Sequence, residues 1–186
     1  MVELKVNNNS RFVDSHIITK KTPQKVVEKY GQECTKCHQC CKVDSGLVLE
    51  DDLQRLADHM NLPRDEFQEQ FLVPHEKFNK KVWKLKQIKE PGKPFGRCVF
   101  LDDEKGCMVH EKKPLHCKVT SPKSKFGEQL SLWFVLNHLL DPQDPEAVRQ
   151  WASYLKSHPT IPGGELHQLV PDKEKRENIL SYKIFR

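Results

Sequence analysis

Four cysteines fall within one short run, Cys34-Thr-Lys-Cys37-His-Gln-Cys40-Cys41, and three more follow at Cys98, Cys107 and Cys117. Thiols spaced by three residues turn towards the inside of a tight loop or one helical turn. A short segment can in this way deliver several sulfurs to one metal centre. A Cys-x-x-Cys pair is the spacing of structural zinc sites. The run Cys34, Cys37, Cys40 also has the spacing of the first three ligands of a bacterial ferredoxin cluster. That pattern would next require a cysteine after three residues and then proline, whereas Cys41 comes at once and Lys42 follows. A two-cluster ferredoxin is therefore not expected, and further ligands must come from Cys41 or from Cys98, Cys107 and Cys117. Adjacent cysteines tend to point apart, so one of Cys40 and Cys41 is expected to serve a given metal. Two tetrahedral sites would need eight donors, and His38, His110 or His116 could complete them. These imidazoles could equally donate to the sulfurs and tune the site.

Disulfides are the competing use of so many thiols. Residues Met1 to Asn9 lack the basic-then-apolar pattern of an export signal, which leads us to expect a cytoplasmic, reducing setting. The odd number, seven, also argues against a complete set of bridges. The chain has 186 residues, 37% of them hydrophobic and 31% charged, as in a soluble globular protein with one real core. Its longest apolar stretch, residues 130–140, is interrupted by Ser131, Asn137 and His138, so no membrane association is expected. The net charge of +5 counts every thiol as neutral, and thiolate ligands would lower it.

The elements that must position these sulfurs read as an α+β fold. A helical stretch is expected at Val26–Tyr30. Leu53, Leu56, Ala57 and Met60 form one apolar stripe behind the acidic start Glu50-Asp51-Asp52. Pro63 starts a further helix carrying Phe67 and Phe71. Trp83 and Leu85 alternate with Lys84 and Lys86, as in a half-exposed strand. Pro91-Gly92-Lys93-Pro94 is a turn. Residues 98–101 and 107–109 read as two short strands around a loop containing Gly106, and Lys113-Pro114 closes that unit. Beyond it, 129–140, 145–158 and 173–181 read as helices. Gly46 and the Gly163-Gly164 pair read as punctuation. The expected organisation is a lead-in at 1–29 and a small metal-nucleated, cysteine-rich domain at 30–122, with short helices and a β-hairpin. A C-terminal helical extension at 123–186 packs on it.

Several other chemistries find no support. Seven lysines between Lys77 and Lys93, with Trp83 among them, could form a nucleic-acid face, but no arginine or nucleic-acid motif joins them. A solvated strand face is the better reading, and nucleic acid is not an expected partner. No phosphate-cradling loop, dinucleotide fingerprint or local nucleophile–base pair is present, so no catalytic residue can be named. Trp133 and Trp151 sit among leucines at helical spacing and read as packing residues.

The ordered set of motifs resembles a known family. It comprises Cys34-x2-Cys37-x2-Cys40-Cys41, Gly96-Arg97-Cys98-Val99-Phe100-Leu101-Asp102, Gly106-Cys107-Met108-Val109-His110 and Lys113-Pro114-Leu115-His116-Cys117-Lys118. Over roughly residues 30–122 it is similar to the CxxCxxCC family, the zinc- or iron-chelating, YkgJ-type cysteine-cluster proteins. The resemblance implies that the cysteines chelate zinc or iron, the latter also as an iron–sulfur cluster. It carries a distant likeness to flagellin lysine N-methylases, which have a similar cysteine cluster. Here His38 stands where a small residue is frequent and His110 where Tyr is usual. Lys113 and Lys118 replace arginines, and lysine lacks the bidentate fork that clamps an anion.

Zinc and iron–sulfur both suit thiolates. The ferredoxin-like spacing and the surplus of cysteines tilt the reading towards an iron–sulfur cluster used in electron transfer or redox. The alternatives are a structural zinc module that engages a protein partner, or a metal-dependent, methylase-like group-transfer enzyme.

Overall fold

The computed structural model describes residues 17–31, 38–89, 91–121 and 123–184. Cys34 and Cys37 lie outside these residues. Helix α1 spans Gln24–Gly31 and α2 spans Gln39–Val43, followed by strand β1, Leu47–Val48. Helices α3 (Glu50–His59) and α4 (Arg64–Phe71) come next. The strands β2 (Leu72–Lys77), β3 (Lys80–Leu85), β4 (Gln87–Lys89), β5 (Gly96–Cys98), β6 (Leu101–Asp102) and β7 (Gly106–Cys107) then succeed one another. A 3₁₀ turn at His110–Lys112 leads into α5, Leu115–Val119. Helix α6 (Glu128–Phe134) runs on as a π-turn, Val135–Leu139, before α7 (Pro145–Tyr154), α8 (Leu166–Leu169) and α9 (Lys173–Leu180). The fold is α+β. All strand pairing among the described residues is antiparallel, in the order β1-β3-β2 and in the two small pairs β4-β5 and β6-β7.

Two apolar cores hold these elements. In one, α3 buries Leu53, Leu56 and Ala57 against Phe67, Phe100, Leu85 and Val109. Phe71 stacks on Phe100 with ring centroids 4.9 Å apart. The stripe on α3 is what its i, i+3, i+4 spacing requires, and its three acidic first-turn residues suit the positive helix end. The other core joins Ile18 and Val27 from the start of the described chain to Leu115 and Val119 of α5 and to α6 and α7. Trp151 is fully buried there, and its Nε1–H donates to the Gly164 carbonyl at 2.7 Å. Among the described residues no helix is long and apolar enough to cross a membrane.

One expected hairpin is divided differently. Cys98 does not pair with the Cys107 segment; it closes β5, which pairs with β4 around the Pro91-Gly92 turn, Gln87 opposite Cys98. The hairpin that carries Cys107 is shorter, with Leu101 opposite Cys107 and Asp102 opposite Gly106. Asp102 accepts the Glu104 and Lys105 N–H groups and fixes that tight turn, while Gly106 takes a left-handed φ of +78°.

Candidate metal centre

Five cysteines from four separate elements line one cavity of about 320 Å³: Cys40 and Cys41 on α2, Cys98 on β5, Cys107 on β7 and Cys117 on α5. His38, His110 and His116 line it as well. All five thiols are free of disulfide bonds. Among the described residues, no three His, Cys, Asp or Glu side chains are grouped so as to hold a metal ion by themselves.

Local chemistry explains why each sulfur stands where it does. Residues 39–43 form the short helix that follows the left-handed His38, φ 58°. Its adjacent cysteines do not diverge as expected. Their sulfurs lie 3.9 Å apart, because a single χ1 rotation can swing each thiol towards its neighbour. Cys98 is buried at the end of β5, beside the Phe67–Phe100 core. Cys117 rides on α5, which Pro114 caps at its start. The buried carboxylate of Asp52 accepts the Leu115 N–H at 3.1 Å and the Leu49 N–H at 3.3 Å, and it pairs with Arg55. This clamp ties the entry of α5 to α3. On the far side of α5, Gly31 lets α1 approach closely: a Cβ there would sit 2.1 Å from the Lys118 carbonyl oxygen.

Gly46 has a role that its reading as punctuation did not reveal. A Cβ at this position would lie 2.1 Å from Cys117 Sγ. The loop around Gly46 is fixed by the Ser45 hydroxyl donating to the Leu85 carbonyl at 2.6 Å and by the Leu85 N–H donating to the Gly46 carbonyl at 3.0 Å. The Cys117 sulfur therefore occupies space that any side chain at 46 would take. The signal could not be read locally, because it depends on a contact across the chain.

The thiols are electrostatically unequal. Within the adjacent pair the hydrogen bond from Cys41 lowers Cys40 to about 6, and the same bond holds Cys41 protonated, its pKa raised. Burial pushes Cys98 up to about 11 and Cys117 well above the ordinary thiol value. Burial, with Lys77 adding to it, lowers His116 to about 4, so its imidazole is neutral. Neutral imidazole and thiolate are the forms that bind soft and borderline metals.

The donor set fits a zinc or iron group on an observation of this cavity. His38 Nε2 and His116 Nδ1 are buried and make no hydrogen bond among the described residues. Buried polar nitrogens in native proteins nearly always have a partner. Two without one, in a wall that also carries five sulfurs, match a cavity whose partner is a bound metal.

The family model of the CxxCxxCC domain matches residues 33–133, more than half of the chain. The chain belongs to the CxxCxxCC family. This family is described as a zinc- or iron-chelating domain, and membership supports metal binding by the chain. The match begins just before Cys34 and takes in all seven cysteines. No curated protein and no solved structure matches the chain.

Proposed function

We propose that the cavity holds its metal through the thiolates of Cys34, Cys37, Cys40, Cys41, Cys98, Cys107 and Cys117, and that the bound form is an iron–sulfur cluster used in electron transfer or redox. The observation that carries this reading is the convergence of five cysteines from four separate elements on one cavity. Seven thiols exceed the four that one tetrahedral ion takes. A cluster bound there would supply one-electron chemistry. The chain's own part is to hold the thiolates and to shield the deeper ones, Cys98 and Cys117, from water, while Cys40 stays exposed. Burial of Cys98 beside the Phe67–Phe100 core and the close packing of Cys117 on Gly46 serve that end.

The spacing of the adjacent pair also suits a second reading, a closed structural zinc. Two thiolates on one tetrahedral ion with bonds of about 2.3 Å stand about 3.8 Å apart. The Cys40 and Cys41 sulfurs are 3.9 Å apart.

Optical spectra of anaerobically purified protein separate the two. A brown protein with broad absorption near about 400 nm, bleached by dithionite, is the expected result. Colourless protein carrying stoichiometric zinc would overturn the cluster and leave the zinc reading standing.

A further inference from the structure

His38, at the cavity wall, combines three features. Its backbone is left-handed, φ 58° and ψ 8°, at the head of α2. A residue with a side chain is held in that region where the surrounding structure demands it, and such positions cluster at functional sites. Its Nε2 is buried without a hydrogen-bond partner among the described residues. And its Nε2 faces Gly106, the residue before Cys107: a Cβ there would lie 2.6 Å from that nitrogen. The imidazole is thus set between the helix that carries Cys40 and Cys41 and the strand that carries Cys107.

We propose that His38 Nε2 is a nitrogen ligand of the bound metal, so that the centre takes mixed sulfur and nitrogen donors. This rests on the cavity being the metal site. Imidazole is accepted by both zinc and iron alongside thiolate, with a zinc–nitrogen bond of about 2.0–2.1 Å. A ligating role explains the features together. The metal is the missing partner of Nε2, the left-handed backbone aims the ring, and the bare Cα of Gly106 leaves it room. If the metal is iron in a cluster, replacing a thiolate by imidazole raises the reduction potential, as in centres with two histidine ligands.

X-ray absorption at the metal edge tests this on the full chain loaded with zinc or iron, beside His38→Gln and His38→Cys. The expected wild-type spectrum contains an imidazole shell with its outer-ring scattering. His38→Gln loses that shell and binds the metal at least about tenfold more weakly in chelator competition. His38→Cys keeps the metal, with sulfur in place of nitrogen, which a purely structural histidine would not predict. A sulfur-only shell in metal-loaded wild type overturns the inference while leaving the metal site intact. An imidazole shell unchanged in either variant does the same. Wild type that binds neither metal overturns the site itself and this inference with it.

Discussion

Alanine at position 46 should expel one sulfur from the centre, and the geometry sets the size of the effect. The new Cβ would lie 2.1 Å from Cys117 Sγ, whereas ordinary contact begins at 3.4 Å, so the sulfur must retreat by about 1.3 Å. Metal–ligand distances tolerate about 0.2 Å. Cys117 therefore leaves the donor set, and metal affinity falls by at least about 100-fold, at or beyond the range for losing an outer-shell partner. In the metal-free protein the overpacking costs about 1–3 kcal/mol. The control is internal. Once Cys117 is alanine, the nearest remaining atom is its Cβ at 3.7 Å, an ordinary contact, and Gly46 has no positive φ that alanine would strain. In the Cys117→Ala background, Gly46→Ala should then be neutral or stabilising by about 0.4–1 kcal/mol through the unfolded chain. Urea denaturation of the four metal-free proteins measures this coupling, and chelator competition measures the affinity. An equal cost of Gly46→Ala in both backgrounds, or wild-type affinity in the single variant, would refute the reasoning.

Three further perturbations follow from the same structure. Asp52→Ala strips the Leu115 and Leu49 N–H groups and Arg55 of their buried acceptor; we expect a loss of about 3 kcal/mol in urea denaturation, with weaker metal binding as the entry of α5 loosens. Trp151→Ala, in the core away from the cavity, should cost about 3–5 kcal/mol in the same assay yet leave the metal stoichiometry of the folded protein unchanged. Metal affinity should rise with pH: Cys98 at about 11, Cys117 and Cys41, both held above the ordinary thiol value, are protonated at neutrality, and binding must release all three protons. Three released protons give about 1000-fold per pH unit between about pH 6.5 and 8.5, and chelator competition showing a flat profile would contradict it.

What could be read from residues alone was whatever repeated at a regular period. The stripe Leu53, Leu56, Ala57, Met60 announces α3, and Pro63 followed by Phe67 and Phe71 announces α4. Trp83 alternating with lysines announces β3. Short elements carry too few residues for a period to register. Helix α5 has five residues, and Lys113-Pro114 reads as readily as the end of a unit as the start of a helix; in the fold Pro114 is the cap. The strands around Cys98 have three residues each, so either of two turns could claim it, and the Pro91-Gly92 turn does. The cysteines were legible by their spacing and type. Gly46 and Asp52 were not, because their roles are through-space: one leaves room for a distant sulfur, and the other caps a helix far along the chain.

Metal counting on single Cys→Ser variants tests the central claim most directly. If one centre gathers the knot and the distant cysteines, then Cys37→Ser and Cys40→Ser from the knot, and Cys98→Ser and Cys117→Ser from the distant group, should each lose bound zinc or iron relative to wild type. Full metal content in both Cys98→Ser and Cys117→Ser, with loss confined to the knot variants, would contradict a shared centre.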